Sequence, residues 1–326
     1  MIWLMIRFIV GVLLLAKAAD WLAGAAAQVA DLTHLPRLIL GATLVGLVTN
    51  IPEFAVSLSA VWYAHGTIAF GNPIGSNIVN TGLILGICLL RSRRRIEPAW
   101  LRDHGIPMLL ACTLVFAFAA YRDITTSTAL VLLALCAGYV VWSVVSAKRE
   151  PELAHDMEAL VAETLTGPKG LRGRWAAAGV LLALSAPLVI FSSRMVLSCS
   201  VEFAHRLNVS ESIIALSLVA VGTSLPELAT ALAAFGRNHQ DTAVGIVLGS
   251  NIYNALGVIG LSGVFGRLPV TLGNRLFDLP MMLLVLSVPM LPCLFGKTPG
   301  RFTGVILLLT YGFYTYSLFT LYGVFS

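Results

Sequence analysis

Two short stretches of this 326-residue chain place oxygen chemistry inside apolar surroundings. The first contains Thr49-Asn50-Ile51-Pro52-Glu53, followed by Gly75-Ser76-Asn77-Ile78-x-Asn80. The second contains Thr223-Ser224-Leu225-Pro226-Glu227, followed by Gly249-Ser250-Asn251-Ile252-x-Asn254. Thr49 and Glu53 are four residues apart and share a helical face, as do Thr223 and Glu227. Pro52 and Pro226 lack an N–H, and their rings clash with the carbonyl four residues back. A helix must bend or break at each, freeing carbonyls near Val48 and Gly222. Ser76 with Asn77, and Ser250 with Asn251, follow a flexible glycine and can present further oxygens. Carboxylates, hydroxyls, amide oxygens and carbonyls are hard ligands, suited to Ca²⁺ and Na⁺-type ions rather than zinc or copper. The two glutamates supply a charge of −2, which one Ca²⁺, two Na⁺ or two protons would balance.

The stretches are copies of one another. Residues 44–86 align with 218–260 at a constant offset of 174, without a gap, and 17 of 43 positions are identical. For one Gly-Ser-Asn, helix packing by small and polar residues would be explanation enough. A duplicated cluster with two glutamates is different. An acidic residue at the bilayer centre costs about 2.5–3.5 kcal/mol even on insertion scales, and it marks a functional site by default.

The elements that must position these residues are membrane helices. Hydrophobic residues make up 58% of the chain and charged ones 11%, with a mean hydropathy of +0.88. A soluble domain carries about 25% charged residues, so a soluble enzyme, a disordered chain and a disulfide scaffold are excluded. The five cysteines lie far apart in apolar runs, with no CxxC pair, and read as packing residues. Apolar runs predict ten spans near 3–27, 36–64, 67–90, 105–121, 125–146, 175–205, 210–236, 242–265, 276–295 and 303–323. The fold class is an all-α polytopic membrane protein. The first stretch reads as a retained span rather than a cleaved signal, because Lys17 and Asp20 interrupt it.

A loop over 148–174 separates a first five-helix half (1–147) from a second (175–326), and reads as a solvated cytoplasmic linker with room for a short surface helix. Of the 21 basic residues, fourteen fall on one side of this layout: Arg37, Arg91, Arg93, Arg94, Arg95, Arg102, Lys148, Arg149, Lys169, Arg172, Arg174, Arg237, Lys297 and Arg301. Five fall on the other: Arg7, Arg122, Arg206, Arg267 and Arg275. That side bias puts the linker in the cytoplasm and both termini outside. A shift of five spans reverses direction across the membrane, so the ten helices form two inverted five-helix repeats. Inverted repeats with Pro/Gly-interrupted segments at matching positions point to a transporter's midplane site.

These motifs resemble the alpha repeats of the sodium/calcium and cation/calcium exchanger superfamily, most closely over Gly222-Thr223-Ser224-Leu225-Pro226-Glu227 and Gly249-Ser250-Asn251-Ile252-Tyr253-Asn254. The resemblance implies a ten-helix exchanger with ion sites between spans 2, 3, 7 and 8. It assigns Glu53 and Glu227 as central ligands, with Thr49, Asn50, Ser76, Asn77, Thr223, Ser224, Ser250 and Asn251 around them. Glu53, Glu227, Thr49 and Thr223 are the expected Ca²⁺ ligands. Copy one departs from the pattern, with Val48 and Asn50 where glycine and serine are usual, and copy two has Ile246 where asparagine is common.

The expected function is secondary antiport of Ca²⁺ against Na⁺ by alternating access, with a Ca²⁺/H⁺ antiporter as the alternative within the superfamily and a cation channel as the alternative outside it. Copy two's Thr-Ser pair favours Na⁺. No HExxH or Gly-x-Ser-x-Gly motif suggests an enzyme. No prosthetic group and no nucleic acid are expected; the partners are the bilayer and the cations, with the chain acting as a monomer in a cell membrane. Among weaker signals, Lys17 and Asp20 should neutralise one another, Arg194 should snorkel or meet a carboxylate, and His65 and His239 read as surface residues. Trp62, Tyr63, Trp142 and Tyr322 read as interfacial anchors.

Overall fold

A computed structural model of the chain describes residues 1–32, 48–91, 98–147, 171–236 and 240–320. These residues are helical apart from turns and one isolated antiparallel bridge between Ile124 and Leu268. Arg37, Arg93, Arg94, Arg95, Lys148, Arg149, Lys169, Arg237, His239, Tyr322 and most of the 148–174 linker lie outside the described residues. The linker's end is a correction: helix already begins at Leu171, so 171–174 are its first turn rather than loop.

The first half contains α1 (Ile2–Leu32), α2 (Ile51–Trp62), α3 (Gly66–Arg91), α4 (Pro98–Ala119) and α5 (Thr126–Ala147). The second contains α6 (Leu171–Leu207), α7 (Glu211–Thr223), α8 (Leu225–Gly236), α9 (Gln240–Phe265), α10 (274–287) and α11 (Arg301–Thr320). Six of these are long and apolar enough to cross a membrane, and the bent pair α7 and α8 makes a seventh. Element bounds repeat with the sequence offset. Residues 51–62 and 225–236 are both twelve-residue helices, and 66–78 and 240–252 are both thirteen-residue stretches. Each of the latter runs into a wide π-helical turn, Val79–Leu85 in α3 and Tyr253–Val258 in α9.

α3 and α9 form the centre, 83% buried over their spanning windows, against 17–39% for the other four long spans. Small residues allow the close approaches around them. A Cβ on Gly75 would stand 2.7 Å from Ala220 Cβ and 2.7 Å from the Leu216 carbonyl, so no larger residue fits where α3 meets α7. α1 and α6 pack along one another, with Phe8 edge-on to Phe203 at 5.9 Å and Gly11 against Met195 and Val196. As the α1 number rises the α6 number falls, so the two helices are antiparallel.

The same contacts fix the other directions. α3 runs parallel to α7 (Gly71 at Ala215, Gly75 at Ala220) and antiparallel to α11 (Gly82 at Tyr311, Gly86 at Leu308). α9 runs antiparallel to α5, with Gly257 at Cys136 and Gly263 at Ala129. Four connections therefore gather on one face. His65 in the α2–α3 turn meets Glu211 at 2.9 Å, and Asp123 in the α4–α5 turn holds Arg267 at 2.8 Å and Arg275 at 3.2 Å. Met1 and Thr320 end on that face too, because α1 and α11 run antiparallel to α6 and α3.

The weaker sequence signals resolve locally. Lys17 and Asp20 form an exposed pair at 3.9 Å. Arg194 lies over the Tyr63 ring at 4.8 Å, rather than against a carboxylate, and Glu202 pairs with Arg206 at 2.5 Å. His65 is half-buried, its Nδ1 in hydrogen-bond contact with Glu211 Oε1, rather than a free surface side chain.

Candidate cation site

Each copy of the repeated proline motif folds as a break followed by a helix start. Asn50 (φ −81°, ψ 1°) and Ser224 (φ −83°, ψ 8°) are the non-helical residues, and α2 and α8 begin directly after them. The axis bends by 43° between α7 and α8. Pro52 and Pro226 occupy the first turn of the new helix, where a missing N–H leaves no bond unmade. Glu53 and Glu227 lie in that same first turn, where the positive end of the helix dipole favours a carboxylate. Both are 0% exposed.

The two copies interlock, each placing a hydroxyl beside the other's carboxylate. Ser224, from copy two, donates to Glu53 Oε1 at 3.4 Å, and Ser76 donates to the same oxygen at 3.5 Å. Ser76 and Thr223 hydroxyls are 3.4 Å apart. Conversely Thr49 stands beside Glu227 and 3.4 Å from Ser250 Oγ, to which Asn50 Nδ2 donates at 3.1 Å. The carboxylates are close enough to repel one another.

Eight of the ten residues chosen from sequence therefore meet in one buried cluster: Glu53, Glu227, Thr49, Asn50, Ser76, Thr223, Ser224 and Ser250. Asn77 and Asn251 adjoin it, with their amide nitrogens turned aside. Asn77 Nδ2 reaches the Asn251 carbonyl (3.2 Å), Cys112 Sγ (3.4 Å) and Met282 Sδ (3.8 Å). Asn251 Nδ2 reaches Thr81 Oγ1 (2.8 Å) and Met108 Sδ (3.4 Å).

The cluster's hydroxyls do not answer all of its acceptors. Glu53 Oε2 and both Glu227 carboxylate oxygens are buried with no donor in hydrogen-bonding geometry. Leaving such groups bare costs about 1–3 kcal/mol each, more for charged ones. A cation among these oxygens would offset that cost. Asp278, equally buried, is the contrasting case and was passed over in the sequence. Tyr314 donates to its Oδ1 and Asn274 to its Oδ2, both at 2.9 Å, so it is satisfied as a structural carboxylate.

Three further buried polar residues lie on α3 and α9. Asn72 donates to the Glu53 carbonyl (3.3 Å) and to Ser57 (3.0 Å), and accepts from Thr223 (3.1 Å). The repeat conceals it, because its counterpart is Ile246. Asn80 and Asn254 are 0% exposed, and in each both amide atoms lack a partner. Their signal was present: they are identical across the copies and stand four residues after Ser76 and Ser250, on the same helical face.

A helical bundle with an oxygen-lined acidic pair at its buried centre is a multi-pass membrane transporter. A family model for the sodium/calcium exchanger protein matches residues 3–145 and 177–320, and the chain belongs to that family. It is 29% identical to the sodium/calcium exchanger MaX1 of Methanosarcina acetivorans, over 93% of this chain and 95% of that one. It is 33% identical to the inner membrane protein YrbG of Escherichia coli, over 94% and 93%. Solved structures of the sodium-calcium exchanger NCX_Mj, one soaked with Na⁺ and Ca²⁺, superpose with a TM-score of 0.64 at 25% identity, covering 98% of this chain and 99% of that chain.

Proposed function

We propose that this protein is an antiporter that carries Ca²⁺ across a cell membrane in exchange for Na⁺. The observation that carries this reading is the pair of repeat-related glutamates, fully buried, with three carboxylate oxygens left bare in a pocket of hydroxyls. Glu53, Glu227, Thr49 and Thr223 bind the Ca²⁺, and Asn50, Ser224, Ser76 and Ser250 complete the cation shell. Asn80 and Asn254 take the amide places that sequence had given to Asn77 and Asn251. A −2 site filled by one Ca²⁺ or by two monovalent ions cannot hold both loads at once, so the two ions compete for it. The names of MaX1 and NCX_Mj support Na⁺ as the counter-ion. Proton coupling is the second reading, favoured by the number of carboxylates, since two protons neutralise two glutamates equally well.

The chain crosses the membrane ten times, as two inverted five-helix halves joined by the 148–174 linker. The antiparallel pairing of α1 with α6, and the gathering of four turns and both chain ends on one face, support that topology. The bias of basic residues toward the opposite side makes the gathered face the outer one. Both glutamates come from one chain, so a monomer suffices.

The test is Ca²⁺ uptake into proteoliposomes under an imposed Na⁺ or H⁺ gradient. An outward Na⁺ gradient should drive uptake and an equal proton gradient should not. Uptake driven by protons alone would establish the second reading. Uptake independent of both gradients would make the protein a channel and overturn exchange.

A further inference from the structure

In both copies the Gly-Ser-Asn tripeptide puts an asparagine next to a serine of the cluster: Ser76 donates to Glu53, and Ser250 meets Thr49 and Asn50. Successive helical residues are 100° apart, so Asn77 cannot share a face with Ser76, whereas Asn80, four residues on, does. The hydrogen bonds show what the displaced face meets. Asn77, on α3, donates to the backbone carbonyl of Asn251, on α9, at 3.2 Å. Asn251 donates back to Thr81, on α3, at 2.8 Å. All three side chains are fully buried. Beyond them lie two methionines at the same repeat offset, Met108 beside Asn251 and Met282 beside Asn77, with Cys112 also beside Asn77. Soft sulfurs on the scaffold helices α4 and α10 are poor company for a hard cation.

We propose that Asn77 and Asn251 are positioning residues. They form a reciprocal pin where α3 crosses α9, and so set the spacing between the Ser76–Asn80 row and the Ser250–Asn254 row without touching the ion. This rests on the reading that those two rows face the cations. Because the two rows belong to opposite halves of the chain, the pin determines the width of the cage and therefore its preference among divalent ions of different size. The pin is asymmetric: Thr81 has Ala255 as its counterpart, so one bond ends on a side chain and the other on the backbone. Asn251 can consequently be unpinned by changing its acceptor alone.

The experiment is a double-mutant cycle on the full chain with Thr81→Val, Asn251→Ala and the pair, reading Ca²⁺ and Sr²⁺ affinities by calorimetry and unfolding by heat. Thr81→Ser, which keeps the acceptor hydroxyl, is the control. Thr81→Val and Asn251→Ala should each weaken Ca²⁺ about tenfold, the size of one orphaned buried hydrogen bond. Both should move the Ca²⁺/Sr²⁺ ratio in the same direction, the pair should be no worse than either single change, and Thr81→Ser should match the parent. Additive losses would overturn the pin. So would Asn251→Asp binding Ca²⁺ more tightly than the parent, because a carboxylate gains affinity only if it faces the ion. Non-additive loss of heat stability with an unchanged Ca²⁺/Sr²⁺ ratio would leave the contact merely structural, and would also overturn the proposal. A parent that binds no Ca²⁺ would instead contradict the function proposed above, and the heat-stability cycle would then test the contact itself.

Discussion

Glu227 and Asp278 are equally buried, but only Asp278 has its oxygens answered by a phenol and an amide. On the proposed reading that difference separates a ligand from a structural carboxylate, and composition alone does not contain it. Glu53, Glu227 and the flanking hydroxyls are candidates because the repeat states them twice. The proposed reading adds Asn80 and Asn254, which the repeat states twice as well, although a polar residue next to Ser76 looks closer to the site than one four positions on. Helical periodicity reverses that order. Asn254→Asp should therefore add a third carboxylate to the cluster and demand a further monovalent cation for balance. The expected outcome is a steeper Na⁺ dependence of Ca²⁺ flux, with a Hill coefficient about one unit higher, in accord with the added charge. An unchanged Na⁺ profile would place Asn254 away from the ions.

The breaks at Asn50 and Ser224 were legible in the helices because proline chemistry is local: a missing N–H and a ring clash need no partner to act. The wide turns at Val79–Leu85 and Tyr253–Val258 were not legible. They arise where Asn80 and Asn254 and their neighbours pack inside the bundle, and π-helical turns of this kind gather at functional sites. Glycine pairs were legible as close-packing signals without naming their partners. Gly75 shows how little freedom remains, with Ala220 and the Leu216 carbonyl each 2.7 Å from an added Cβ. Gly75→Val should push α3 from α7 and part Ser76 from Thr223. A loss of about 1–3 kcal/mol in stability is expected from overpacking, with a larger loss of transport. Thermal unfolding and Ca²⁺ flux on the same preparation check this; full transport in the valine variant would mean that α3 and α7 need not touch.

Across the whole molecule, apolar runs predicted ten spans, whereas length and composition single out six helices and one bent pair among the described residues. Residues 33–47 lie outside the described residues, so only the twelve residues of α2 after its break are counted, and α10 carries the polar Asn274–Asp278 turn that hydropathy discounts. Directions read from packing are in keeping with the proposed alternation. They yield a labelling experiment on a chain whose cysteines, all free, are replaced. Tyr121 and Phe302 are 87% and 78% exposed and lie on opposite faces. An impermeant thiol reagent added outside intact cells should label Tyr121→Cys and spare Phe302→Cys; the reverse pattern would invert the orientation.

The central claim is that one acidic pair holds Ca²⁺ and the counter-ion in turn. Its most direct measurement is equilibrium ⁴⁵Ca²⁺ binding to the purified protein, titrated with Na⁺, in the parent and in Glu53→Gln and Glu227→Gln. Each glutamine keeps the side-chain volume and removes half of the site's charge, leaving a divalent ion uncompensated. Breaking a buried charge pair costs about 3–5 kcal/mol, which corresponds to affinity losses of roughly 10²- to 4 × 10³-fold. The predicted result is Ca²⁺ binding that Na⁺ displaces in the parent and that falls by that factor in both variants while the fold survives. Parent-like Ca²⁺ binding in either glutamine variant, or parent binding indifferent to Na⁺, would contradict it.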